Sequence, residues 1–184
     1  MQKALIIVIV IVVLIGIYVW GTYNSMVTGN ETVNNLWAQV ETQYQRRFDL
    51  IPNLVESVKG MMQQEQKIFG DLAEARTRYA GATSVEDKVS ATNELESALG
   101  RLLMIMENYP DLKSDESVQT LMADLESAEN RISVARKRFN EGVQEFNVMV
   151  KRVPGKWMAN LFGFQERAYF EAVAGAEEAP QVEL

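Results

Sequence analysis

Two groups of polar residues have the types and spacing to do chemistry. Arg46, Arg47, Asp49 and Asn53 crowd one junction in the first half of the chain. Glu129, Arg136, Asn140 and Asn147 follow one another at intervals of seven, four and seven, which places them in one line along a helix face. Guanidinium, carboxamide and carboxylate groups aligned in this way can grip a partner's backbone or a polar ligand in a groove between helices. The same residues can form an internal hydrogen-bond network that fixes helix register, or merely a solvated flank, and one of these two, rather than a binding groove, is expected.

Covalent chemistry has few tools here. The chain contains no His and no Cys, which removes a thiol nucleophile, a Ser-His-Asp relay and every imidazole or thiolate metal ligand. Carboxylates alone hold Mg²⁺ or Ca²⁺, yet no D-x-D-x-D-G loop, G-x-x-x-x-G-K-[ST] or G-x-G-x-x-G is present. Nothing in the spacing brings Glu65 to Glu129 as a metal pair. No catalytic, cofactor or metal residue is assigned, and the expectation is a protein that is not an enzyme.

A third cluster is basic and aromatic. Lys151, Arg152 and Lys156 run into Trp157, Leu161, Phe162 and Phe164. Three uses are open: folding back to close the end of a helical body, insertion into a lipid interface, or packing against a neighbouring copy. Met61, Met62, Met104 and Met106 read as ordinary core filling.

The elements that must position these residues are helical. Val33, Leu36, Trp37, Val40, Tyr44, Phe48 and Ile51 keep helical spacing, and Pro52 predicts a break, with one helix ending near Asp49 and the next starting at Pro52. A kinked continuous helix is the alternative. The next stripe runs from Leu54 to Ala75 and stops at Tyr79-Ala80-Gly81, where glycine suits a left-handed stop. Thr83-x-x-Glu86 has the form of a capping box for a third helix ended by Pro110. Ser114 caps a fourth, with Asp115 and Glu116 in its first turn and Pro154-Gly155 at its end. No useful β-type alternation occurs. The expected fold is all-α, an antiparallel up-and-down four-helix bundle over residues 24–153, followed by an aromatic-rich segment at 154–170. The last fourteen residues hold four Glu and no base, and residues 171–184 read as a disordered acidic tail.

From Ala4 to Trp20 the chain has seventeen residues without a charge, an amide or a proline. As a helix this run covers roughly 25 Å, close to the ~30 Å hydrocarbon core of a bilayer. The run is longer than a signal peptide's apolar region and exits through bulky rings, so residues 1–23 read as a retained signal-anchor rather than a cleaved leader. Lys3 precedes the run and Glu31 is the first charge after it, so the positive-inside rule sends the body outside the cytoplasm, with the opposite topology open. Counting helices from that anchor predicts that Val153 returns to the lipid surface. Bases outnumber acids between Arg131 and Lys156, which suits anionic head groups. Of the 184 residues, 25 are Asp or Glu and 18 are Lys or Arg, and an acidic chain of this kind is not expected to bind nucleic acid.

Several phrases together resemble the LemA family of bacterial membrane proteins. They are Gly21-Thr22-Tyr23-Asn24, Trp37-Ala38, the long run Arg46-Arg47-Phe48-Asp49-Leu50-Ile51-Pro52-Asn53-Leu54-Val55, Lys59-Gly60, Glu65 and Ala75-Arg76. Tyr109-Pro110-Asp111-Leu112, Glu129-Asn130-Arg131-Ile132, Ala135-Arg136, Asn140, Asn147, Ala159, Gly163-Phe164 and Tyr169-Phe170 complete the likeness over nearly the whole chain. Val153 and Phe139 depart from it, where the family more often has Phe and Tyr. The resemblance implies a single-pass membrane protein with a four-helix soluble domain. Family members look like envelope or internal-membrane scaffolds, some linked to organelle membrane formation and others encoded near membrane proteases.

Three functions follow as expectations. The first is a scaffold that self-associates as a homo-oligomer at the inner (cytoplasmic) membrane, the bilayer itself being a partner and confinement to two dimensions raising local concentration. The second is an adaptor that presents protein partners to a membrane protease or another membrane complex. The third, least supported, is a hydrolase of unusual type.

Overall fold

The computed structural model describes residues 1–60, 62 and 65–170. Met61, expected in the core, and the acidic tail at 171–184 lie outside the described residues. The described residues are all helical in their regular structure, with no strand among them. The elements are α1 (Gln2–Lys59), α2 (Gln66–Gly81), α3 (Val85–Met106), α4 (Pro110–Ser114), α5 (Glu116–Lys151) and α6 (Gly155–Phe162).

Pro52 does not break the first helix: α1 runs through it to Lys59. A proline inside a helix costs ~3 kcal/mol or more through the lost N–H bond and the clash with the preceding turn. Phe48, Ile51, Leu54 and Val58 are all buried on the two sides of it, and each such side chain contributes ~1.5–3 kcal/mol. Continuous burial of that stripe outweighs the local defect.

The caps of α3 and α5 sit one residue from the sequence reading, but the stripe read from Leu54 to Ala75 is shared between α1, which ends at Lys59, and α2, which begins at Gln66, and α3 ends at Met106, before Pro110 opens α4. Ser84, not Thr83, caps α3: its Oγ accepts from the Asp87 backbone N–H at 3.0 Å and donates to the Asp87 carboxylate at 2.7 Å. Asp115 caps α5, its Oδ1 accepting from the N–H groups of Ser117 and Val118 at 2.9 and 3.0 Å. Ser114 closes α4 instead, donating to the Pro110 carbonyl. Gly81 is the last residue of α2, followed by extended Ala82. The left-handed glycine is Gly163, at φ 78°, where it ends α6 and lets Phe164 N–H reach the Ala159 carbonyl at 2.9 Å.

The chain divides into two compact units. Unit 1 comprises residues 1–40 and 134–170. Within it Leu36 meets Gly142, Trp37 stacks edge-on against Phe139 with ring centroids 5.4 Å apart, and Met26 meets Gly155. The partners descend in number as α1 ascends, so α1 and α5 are antiparallel here. Met26, Val33, Phe139, Val143, Phe146 and Val150 are buried. From Leu5 to Ile17 every large apolar side chain is at least 50% exposed, so no protein covers that run among the described residues.

Unit 2 comprises residues 41–133. Arg78 pairs with Glu94 and Asp71 with Arg101, which fixes α2 and α3 as antiparallel. Glu41 pairs with Lys88 and Arg47 with Glu96, which makes α1 and α3 parallel. The core holds Tyr44, Phe48, Leu54, Met62, Leu72, Leu95, Leu102 and Leu112. Met62 and Met106 are buried as expected, but Met104 is 70% exposed and is not a core residue.

Candidate functional site

The polar residues singled out in the sequence fall into two places. In unit 2, Arg47 is buried, at 7% exposure, while Arg46, Asp49 and Asn53 beside it face solvent. Alternation around the helix turns only Arg47 inward, onto the stripe that Tyr44, Phe48 and Ile51 occupy. Its Nη1 lies 3.2 Å from Glu96 Oε1 and 2.7 Å from Glu129 Oε2. Asp49 accepts from Gln45 Nε2 at 2.9 Å on the outer face. One guanidinium thus joins α1, α3 and α5 inside this unit. The contact to Glu129 is a charge contact without hydrogen-bond alignment, and Arg47 Nε has no hydrogen-bond partner among the described residues.

Arg136, Asn140 and Asn147 belong to unit 1 and hold a different object, the non-helical strap of residues 163–170. Asn147, 3% exposed, donates through Nδ2 to the Arg167 carbonyl at 2.9 Å and accepts from the Arg167 N–H at 2.8 Å. Asn140 repeats the pattern on Phe170, at 3.0 and 2.8 Å. The Arg136 guanidinium sits 4.5 Å over the Phe170 ring. The Arg167 side chain crosses to α1, donating to Asn34 Oδ1 at 2.8 Å and Asn30 Oδ1 at 3.5 Å. Asn30, Asn34 and Arg167 were not picked out from sequence. Their signals were an Asn-x-x-x-Asn pair one turn apart and the only base beyond Lys156.

The basic and aromatic cluster divides by contact. Lys151 pairs with Glu166 at 2.7 Å, and that hydrogen bond, then the carboxylate's charge, holds its ammonium above the usual lysine range. Phe162 packs on Tyr23, with centroids 4.9 Å apart, and Phe164 lies between Tyr23 and Phe146 at 6.0 and 6.5 Å. Trp157 and Leu161, one turn apart on α6, remain 62% and 69% exposed. Arg152 and Lys156 are exposed and enter no ion pair among the described residues. Val153 and Pro154 line a cleft together with Ile17 and Tyr18, which puts the α5–α6 turn beside the end of the apolar run.

No group of three or more His, Cys, Asp or Glu side chains gathers among the described residues in a way that could hold a metal ion. Glu129 is engaged by Arg47. Burial first, then the charges of Glu41 and Tyr44, push the pKa of the buried Tyr79 phenol well up.

Comparison with known proteins adds lineage to this geometry. The LemA family profile matches residues 36–184. Magnetosome protein MamQ 2 and Magnetosome protein MamQ 1 of Paramagnetospirillum magneticum are each 26% identical to this chain over 175 residues, covering 81% of it and 64% of the relative. Magnetosome protein MamQ of Magnetospirillum gryphiswaldense is 27% identical over 174 residues, covering 80% and 64%. The chain therefore spans a little under two thirds of the length of these curated relatives. With the profile matching from the middle of α1 onward, the chain belongs to the LemA family.

Proposed function

We propose that this chain is a membrane-anchored, non-catalytic helical scaffold that self-associates at the bacterial inner membrane. In this reading residues 1–23 cross the bilayer once and residues 24–153 form the body on the extracytoplasmic side. Residues 154–170 lie near the lipid surface. The observation that carries it is how the polar residues are used. Asn140, Asn147 and Arg167 bind the chain's own backbone and side chains, and Arg47 binds its own carboxylates. Groups engaged in this way stiffen a body rather than process a substrate. The uncovered run from Leu5 to Ile17 supports embedding in lipid, and the relatives' names as magnetosome proteins support a role in organising membranes.

The test is mass measurement of the detergent-extracted full chain over a wide concentration range. The expected result is a multimer that dissociates only on dilution. A monomer at every concentration would remove the self-association.

A second reading rests on a separate observation in unit 2. A cleft of about 760 Å³ opens between Leu103, Met106, Leu112 and Met122, with Glu107 and Glu126 beside it. Its size suits a protein or peptide partner's apolar side chains, as an adaptor to a membrane protease or other membrane complex would require. A photo-crosslinker placed at Leu103 in cells should then trap a different protein, and recovery of self-crosslinks alone would reject the adaptor.

A further inference from the structure

Unit 1 contains a cleft of about 470 Å³ at the point where the uncovered run of α1 meets the α5–α6 turn. Ile17, Tyr18 and Thr22 form one wall; Met149, Arg152 and Pro154 form the other. Among the described residues Arg152 is the only charged one that lines it, and no carboxylate does. The neighbouring cleft in the same unit, about 380 Å³, has the opposite character, with Glu145 on its wall and no base among the described residues.

Contacts inside unit 1 sort the surrounding cluster into occupied and available groups. Lys151 is matched by Glu166, and Phe162 and Phe164 are packed on Tyr23. Among the described residues Arg152 and Lys156 have no ion-pair partner, and they lie beside the exposed Trp157 and Leu161 on one face of α6. An apolar wall continuous with a lipid-facing helix, a guanidinium at its mouth, and an amphipathic ring and an aliphatic side chain alongside match a molecule with an anionic head and a hydrocarbon tail. A free phosphate ion would leave Ile17, Met149 and Pro154 without a partner.

We propose that this cleft binds an anionic phospholipid of the leaflet into which α1 emerges. Arg152 and Lys156 take the phosphate, the Tyr18 and Thr22 hydroxyls donate to its oxygens, and an acyl chain lies along Ile17. Trp157 and Leu161 enter the interface next to it. The site rests on the reading that the apolar run of α1 lies in a bilayer.

The test uses the full chain, delipidated in detergent and offered phosphatidylglycerol or phosphatidylcholine, with retained lipid counted by native mass spectrometry. The unmodified chain is expected to retain phosphatidylglycerol in preference. Arg152→Gln is expected to cut that preference about five-fold, at ~1 kcal/mol per basic group near the surface, and Arg152→Gln with Lys156→Gln to abolish it. Arg138→Gln, an exposed base elsewhere on α5, should leave it unchanged. Equal retention of the two lipids by the unmodified chain overturns the site, and this outcome needs no variant to fold. An equal fall with Arg138→Gln overturns it in favour of diffuse charge attraction. Displacement of the lipid by millimolar inorganic phosphate overturns it in favour of a plain anion site. Failure of the bilayer reading itself looks different: the chain would then stay in solution without detergent and retain neither lipid.

Discussion

Asn140 and Asn147 each form a two-bond clamp on the backbone of the same strap, at Phe170 and Arg167 respectively. The arithmetic of the two conformations explains the match. Seven helical residues advance about 10.5 Å at 1.5 Å each, and three extended residues span about 10–11 Å. Two full turns of α5 therefore present their amides in step with every third residue of a chain running antiparallel to it.

The clamp at Asn147 is the more buried, so it is the more sensitive. Asn147→Ala removes two hydrogen bonds and leaves the Arg167 backbone groups unmatched, at about 1–3 kcal/mol. We expect the thermal midpoint in detergent to fall accordingly, whereas Asn53→Ala, on the exposed face of α1, stays within about 0.5 kcal/mol. Equal effects would mean that the strap is not held in this way.

These clamps also show where the sequence stops being readable. The helical stripes around Tyr44, Leu72, Leu95 and Ile132 follow from period alone, because each repeats over several turns. Asn140 and Asn147 were visible as a line, but the object they hold is a non-helical segment without a periodic signal of its own. The eight residues of α6 are too few turns to announce a helix. Pro52 misled because the proline rule is local, while the burial of Phe48 and Leu54 that overrides it is tertiary. The caps slipped by one because Thr83-Ser84 and Ser114-Asp115 each offer two adjacent capping side chains, and only backbone geometry chooses between them.

Arg47 joins two carboxylates from a buried position. Arg47→Ala removes the guanidinium that Glu96 and Glu129 both contact. Removing one partner of a fully buried pair costs about 3–5 kcal/mol; with Glu96 and Glu129 24% and 45% exposed, solvent screening reduces this to about 2–3 kcal/mol. Arg46→Ala should change stability by less than about 0.5 kcal/mol. Chemical denaturation of both variants checks the contrast.

Tyr79 gives the fold an alkaline limit. Its ring packs on Phe48 and Tyr44, with centroids 4.2 and 6.1 Å away, and its pKa is raised from 10.0 by burial and then by Glu41 and Tyr44. A raised folded pKa means that the native state keeps the proton longer than the unfolded chain. That stabilisation is complete below about pH 10 and is lost as pH rises toward the folded value. Tyr79→Phe keeps the ring and removes the titration, so its unfolding free energy should fall less between pH 10 and pH 12 than that of the unmodified chain. Parallel slopes over that window would refute the assignment.

Gly155 stands where α5 turns into α6. A Cβ there would press on the Met149 carbonyl oxygen, which is backbone and cannot rotate away, and come within 3.3 Å of the Met26 methyl. Gly155→Ala should cost about 1–3 kcal/mol and increase cleavage after Arg152 in limited trypsin digestion. Gly21→Ala, with nothing within 4 Å of the added methyl, serves as the neutral comparison.

The strap has a consequence for synthesis as well as for stability. A ribosome releases residues 163–170 only after both helices that they fasten, so the seam of unit 1 closes only once those residues have emerged. A translation product cut short at Gly163 would carry Asn140 and Asn147 with their amides idle and Asn30 and Asn34 without their arginine.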